Sequence, residues 1–322
     1  MPAPGAALYT YRFPLMGGEG ALQFVDTRGE DEARRVAKAA EDEARRIEVK
    51  FSRYRETSVV SEINRHAGRT PVAVDEETES LVLAAIALSR ETGGRFDPTI
   101  GVLRVVWDFK GGRVPSREEV AALLPFVDAP SVRVRDRTVF LPRAGMEIDL
   151  GGVGKEYAAD RAAAALSESG VRCGIVNFAG DVRTIGCRGD GGPWRVGVAD
   201  PRRRGSCRFA VLVLGEAGIA TSGDYERGFV KDGVRYHHIL DAKTGWPARG
   251  VASVTVVAAT AARAGNLATA AFLLGPEAGI ALLETTPGAE GALILEDGSI
   301  RATEGMRELS DLPGSAWGGR AS

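Results

Sequence analysis

Residues 132–155 read VRVRDRTVFLPRAGMEIDLGGVGK, and the change of period within this stretch decides the fold class. Val132, Val134, Val139 and Leu141 alternate with polar residues around Asp136-Arg137. This period of two predicts a hairpin leading into a strand at Met146-Glu147-Ile148-Asp149. The glycine turn Gly151-Gly152-Val153-Gly154 then joins that strand to a helix over about 155–167. Upstream, the spacing is helical. Val36, Ala40, Ala44, Ile47 and Phe51 recur at three and four residues through an otherwise charged segment, which predicts a helix over 31–51. A second helix is expected over about 75–92, with acids in its first turn and Gly93-Gly94 as its stop. A third starts at Ser116, where Glu119 completes a capping-box spacing. Downstream, apolar runs at 174–178, 194–198, 209–214 and 251–257 are bounded by turn residues. A helical pair over 261–283 breaks near Gly275-Pro276, and a last hairpin turns at Asp297-Gly298. Helices come first and strands later without βαβ alternation, so an α+β fold is expected rather than a doubly wound sheet.

Composition is that of an ordinary globular chain, 44% hydrophobic and 26% charged with a formal net charge of -2 over 322 residues. The absence of a basic excess argues against a nucleic-acid partner. Three cysteines with no CxxC pair read as reduced thiols rather than a disulfide framework. No apolar run approaches the ~18 residues of a membrane span. The N-terminus, MPAPGAALYTYRFPLMGG, has neither a basic start followed by an apolar run nor a lipobox cysteine. A cytoplasmic location is therefore expected for the chain as given, or an exported one if a leader has been removed.

The first chemistry-bearing segment is Ile148-Asp149-Leu150-Gly151-Gly152-Val153-Gly154-Lys155. Glycines let backbone approach a ligand, and the N–H groups at a helix start favour an anion such as a diphosphate. Lys155 would add charge there and Asp149 would accept from a ring or ribose donor. A plain turn with a solvated Lys155 and a capping Asp149 fits the same residues, and neither GxGxxG nor a Walker pattern is present. The second segment runs ATSGDYER (residues 220–227), then HHILD (237–241), then Thr244-Gly245-Trp246-Pro247. A histidine beside an aspartate can accept a proton from a hydroxyl nucleophile, and a hairpin with exposed histidines is the alternative. Asn177-Phe178-Ala179-Gly180-Asp181 closes a strand as a turn. The aromatics of Phe96 and Trp107-Asp108-Phe109 would either flank a planar ring or fill core.

Taken together and in order, the blocks FSRYRETSVVSEIN (51–64), 96–109, IDLGGVGKEYAAD (148–160), 176–181 and 219–247 resemble the ApbE family of FAD:protein FMN transferases over roughly residues 14–300. The resemblance implies a T-fold-related α+β domain of mixed, largely antiparallel sheets, covering residues 1–312, with FAD in a cleft between two interleaved lobes and a flexible tail over 313–322. It implies Mg²⁺ at the diphosphate. By position, Met16, Tyr54, Trp107, Asp108 and Phe109 resemble flavin-side contacts, and Asp149 with Lys155 resembles the FAD-binding pair. Ile239 lies near the nucleotide, the Gly152 carbonyl and Thr269 resemble metal ligands, and His238 or Asp241 is the implied proton acceptor. The implied partner is a protein bearing a D-x-x-x-G-A-[ST] segment, whose Thr or Ser receives FMN as AMP leaves.

Two departures stand out. The family's metal-binding Asp, four residues before the Thr, is replaced here by Gly265, so metal affinity should fall unless Asn266, Asp181 or water compensates. Ala179 stands where glycine is usual, which tightens that turn. Besides flavin transfer, the same residues would serve FAD hydrolysis to FMN and AMP, or non-catalytic FAD binding.

Overall fold

The computed structural model describes residues 6–203, 205–314 and 317. At its centre is an eight-stranded sheet whose strands neighbour one another in chain order: β1 (Ala7–Leu15), β2 (Gly18–Asp26), β3 (Gly174–Phe178), β4 (Asp181–Ile185), β5 (Gly218–Gly223), β6 (Val251–Ala258), β7 (Glu290–Leu295) and β8 (Ile300–Ala302). Each of these pairings is antiparallel, as the α+β expectation requires. The helices are α1 (Glu30–Phe51), α2 (Val59–Arg65), α3 (Glu76–Glu91), α4 (Arg117–Leu123), α5 (Gly154–Glu168), α6 (Ala261–Leu274), α7 (Pro276–Thr285) and α8 (Glu304–Leu309).

Both faces of the sheet's second half are covered. On β5, β6 and β7, Ala220, Val254, Val256 and Leu293 pack with the alanine-rich face of α6, while Ile219, Val257, Ala292 and Ile294 pack with the hairpin formed by Trp194–Ala199 and Cys207–Val213. This is why residues 251–258 read as an unbroken apolar run, with every position buried. On the first half, α1 presents Ala33, Val36, Ala37, Ala40, Ala44 and Ile47 to the same cluster as Ala158, Ala159, Ala162 and Ala163 of α5. Small side chains on both helices allow a close approach that places the start of α5 at the edge of the core. A smaller cluster joins Leu103, Trp107 and Val120 to Tyr236, Leu240 and Trp246.

The hairpin over 133–140 turns at Asp136 and Arg137, both at positive φ (49° and 55°), the geometry a tight two-residue turn needs. The capping box at Ser116 is present. Residues 146–150 differ from expectation: they form an extended loop, not a strand. Its backbone is held by a side chain, with Ile148 donating to Asn64 Oδ1 (2.7 Å) and accepting from Asn64 Nδ2 (3.0 Å). The tail expectation is corrected at Trp317, which is buried edge-on against Phe209 with ring centroids 5.4 Å apart. Residues 315–316 and 318–322 lie outside the described residues.

An ion network ties α1 to the start of α3. Arg46 reaches Glu43 and Glu77, and Lys50 reaches Glu77 and Asp75. Hydrogen bonds from Arg46 hold Glu43 and Glu77 down to about 2, against an ordinary 4.5. A depressed folded-state value means that this contribution is complete above about pH 4.5 and lost as pH falls toward about 2. Arg46→Met is expected to cost ~1 kcal/mol at neutral pH, allowing for solvent screening of the half-exposed guanidinium. It should also flatten the acid loss of stability. Urea unfolding at about pH 7 and about pH 3.5 checks both, and an unchanged acid slope would contradict the assignment.

Candidate functional site

Helix α5 starts directly after the Gly151-Gly152 turn, with Val153 at its N-cap and no side chain capping it. The Gly154 amide donates to the Leu150 carbonyl (2.9 Å), and the helix start as a whole presents the positive end of its dipole, the arrangement that favours an anion. The turn is positioned from outside. Asp149 donates its amide to the Pro98 carbonyl (2.7 Å), and its carboxylate accepts from the Gly151 amide (2.9 Å) and pairs with Arg53 (2.7 Å). Arg53 in turn lies over the ring of exposed Tyr54, 5.0 Å from its centroid. Asp149 and Tyr54, read separately in the sequence, are therefore linked through Arg53.

Lys155 projects from the first turn of α5 and donates to Asp181 Oδ2 at 2.7 Å. Asp181 is buried at the start of β4, after a turn in which Ala179 sits at φ 53° and Gly180 at φ 99°. Burial works against the Lys155 charge, but Asp181 and Glu156 outweigh it and raise its pKa above the ordinary value. Burial raises Asp181, and Lys155 offsets this only in part. The Ala179 amide donates to the Glu19 carbonyl (3.1 Å), which brings the β1–β2 turn alongside. Met16 sits in that turn at φ 50°, half-buried, its amide donating to Glu48 Oε1 (2.8 Å).

Sequence reasoning passed over Glu156. It is buried beside Lys155, its Oε2 has no hydrogen-bond partner, and burial with nearby Asp181 raises its pKa. The available signal was helical phase: position 156 shares the inward face with Ala159 and Ala163, where an unpaired acid is costly. On α6, Thr269 exchanges a hydroxyl hydrogen bond with Ser222 of β5 at 3.0 Å. The Gly152 carbonyl belongs to the exposed turn ahead of α5. Thr269, Gly152, Asp181 and Glu156 offer oxygens only, which suits a hard divalent cation. Among the described residues, no group of three or more His, Cys, Asp or Glu has metal-site geometry.

His237 and His238 divide. His237 is buried, its Nε2 2.9 Å from the Ala248 carbonyl, while His238 keeps a solvent-exposed face with Nδ1 3.3 Å from the Arg227 carbonyl. The protein surrounding the His238 ring disfavours its charged form and Arg227 adds to this, so its pKa is pushed down to about 4. Ile239 is half-buried against the α6 cluster, its carbonyl accepting from Ala248.

Other expected residues are engaged elsewhere. Asp241 is buried in an ion pair with Arg95, and its Oδ1 accepts from the Lys243 amide at 3.0 Å. Its oxygens are thus engaged by a guanidinium and a turn amide, whereas His238 keeps an exposed face. Trp107 is core: it is buried, stacked on Phe109 at 5.1 Å, edge-on to Trp246 at 5.2 Å, with Nε1 donating to Gly245 (2.9 Å). Of the two readings of Trp107, ring contact or core, its packing matches the second. Asp108 is exposed and closes a turn by accepting from the Lys110 and Gly111 amides. Phe109 is half-buried between Trp107 and Phe229. A concavity of about 570 Å³ lies beside this aromatic cluster and is lined by Tyr236, Trp246, Arg117 and Arg249. The Lys155 group does not line it.

A glycine turn, an uncapped helix start and a half-buried lysine on a buried aspartate are shared by many anion sites, and comparison with known proteins separates them. The model of the ApbE family matches residues 16–294. The chain belongs to the ApbE family. A FAD:protein FMN transferase of Treponema pallidum is 34% identical over 277 residues, covering 80% of this chain and 76% of that protein. The one from Vibrio cholerae is 30% identical, covering 84% and 83%. Among solved structures, the ApbE protein from Thermotoga maritima superposes with a TM-score of 0.85 at 39% identity, covering 94% of this chain and 99% of that one. The flavin transferase ApbE from Vibrio cholerae superposes at 0.83 with 28% identity over the same shares.

In this ApbE chain the turn before Asp181 carries strain that its sequence announced. Ala179 holds a left-handed φ of 53° with a Cβ that glycine would lack. Ala179→Gly is expected to stabilise by roughly 0.5 kcal/mol, the relief of strain exceeding the added chain entropy. Chemical denaturation measures this, and a loss of stability would contradict it.

Proposed function

We propose that the chain transfers the FMN portion of FAD to a Thr or Ser hydroxyl of an acceptor protein. The observation that carries this is Lys155, held by buried Asp181 at the uncapped start of α5 in a chain of the ApbE family. The α5 amides and Lys155 bind the diphosphate of FAD and take up negative charge as it grows on the departing phosphate. The acceptor oxygen forms a bond to the FMN phosphorus while the bond from that phosphorus to the bridging oxygen breaks, and AMP leaves with the oxygen. His238 takes the hydroxyl proton. With Nδ1–H donating to the Arg227 carbonyl, Nε2 carries the free lone pair, and the low pKa keeps the ring neutral at physiological pH. Asp149, fixed by Arg53 and the Gly151 amide, presents an acceptor toward the nucleotide, with Tyr54, Met16, Phe109 and Ile239 as apolar or stacking neighbours at the rim. Mg²⁺, held by Thr269 and the Gly152 carbonyl, would neutralise diphosphate charge. The acceptor segment is of the D-x-x-x-G-A-[ST] type, and residues 1–312 act as one unit.

Incubating the protein with FAD, Mg²⁺ and an acceptor of that type should yield an acceptor heavier by one FMN, with AMP released in equal amount. Intact FAD and an unmodified acceptor would overturn the proposal, and FMN released free into solution would point to hydrolysis instead. Lys155→Met is expected to reduce transfer by on the order of a hundredfold, the cost of removing one preorganised donor. For His238, NMR titration of the ring in the ligand-free protein should give a midpoint near 4 rather than the ordinary 6.5. An ordinary midpoint would contradict the charge-disfavouring surroundings assigned to the ring.

A further inference from the structure

Gly265 and Glu156 occupy one space. A Cβ added at Gly265 would lie 2.5 Å from Glu156 Cγ and 2.8 Å from its Oε1, so the carboxylate of Glu156 rests on α6 where any side chain from 265 would begin. Position 265 is one helical turn before Thr269, and the two share a face of α6. Glu156 reaches that face from α5. Its residue is 7% exposed, and Oε2 is buried with no partner in the protein. Nearby, Asp181 is also buried, with Lys155 as the cation bonded to it. Two buried carboxyl groups beside one ammonium leave one of them without a cationic partner, a place that a bound cation would complete. Small residues at 265 and 264 leave the Glu156 oxygens room on the α6 side.

We propose that Glu156 supplies the anionic metal ligand that Gly265 cannot, so that this chain delivers from α5 a carboxylate that its relatives' pattern places on α6. Glu156 Oε2, the Thr269 hydroxyl and the Gly152 carbonyl then hold the divalent cation, and Gly265 is glycine because Glu156 fills its side-chain volume. The proposal rests on the metal-assisted flavin transfer proposed above and names the residue on which the metal depends.

The test is Mn²⁺ binding, followed by the EPR signal of free Mn²⁺ with FAD-saturated protein. Wild type should bind Mn²⁺, and Glu156→Gln should weaken binding at least about tenfold. Glu156→Gln should also lose the metal-induced rise in Tm while melting close to wild type without metal, since the amide keeps the shape of the buried acid. Gly265→Asp alone should bind Mn²⁺ no better than wild type and melt lower, because the new side chain collides with Glu156. Glu156→Ala combined with Gly265→Asp, which moves the carboxylate to the other helix, should recover Mn²⁺ affinity to within about threefold of wild type. Equal Mn²⁺ affinity in wild type and Glu156→Gln overturns the assignment of Glu156 and leaves the transferase proposal standing. No Mn²⁺ binding by wild type, with FAD bound, overturns the metal part of both. If Glu156→Gln does not fold, failure of the combined variant to bind Mn²⁺ while folded overturns the proposal.

Discussion

The start of α5 places two ionisable side chains where burial works against their charge. Close packing of α1 and α5 through alanines places the first turn of α5 at the edge of the core, where Lys155 and Glu156 lose water. Lys155 recovers part of that loss from Asp181 at 2.7 Å, but Glu156 finds no equivalent partner. A protein shaped only for stability would place an apolar residue at 156. Keeping a buried acid beside an uncapped helix start makes the pocket attractive to anions through its amides and to cations through its carboxylates. A diphosphate with its counter-ion, as proposed, would satisfy both.

The sheet explains how distant parts of the chain meet at this point. Because β1 to β8 are neighbours in chain order, the turns at one end of β1–β2 and β3–β4 lie side by side, and β5 brings Ser222 to Thr269 of α6. The insertions between strands carry the other contributors: Arg53 and Tyr54 after α1, and Arg227 with His238 after β5. Rigidity comes from the doubly covered β6 and its neighbours, and the chemistry sits on turns and helix ends attached to them.

Most regular elements were legible because their signals are local. The stripe of α1, the caps of α3 and α4, the hairpin at Asp136-Arg137 and the apolar run of β6 each follow from periodicity or capping within one segment. The loop over 146–150 was misread as strand because its alternation is real while its pairing is limited to one isolated bridge, from Glu147 to Ile100, with Ile148 held by the side chain of Asn64, far away in sequence. Trp107 reads identically as a stacking platform or as core until Gly245 and Trp246 are seen to enclose it. Asp241 reads as free until Arg95 is found on it.

Sequence by itself determined the class of fold, the glycine turn and helix start ending in Lys155, and the absence of a side chain at 265, since each depends on residues adjacent in the chain. Only the tertiary structure decided that Lys155 belongs to Asp181, that His238 rather than Asp241 keeps a free face, and that Glu156 fills the space Gly265 leaves open. Those outcomes depend on contacts between α5, α6 and the sheet. Charge, burial and volume at such contacts are properties of pairs of residues, and a linear chain does not specify its pairs until it has packed.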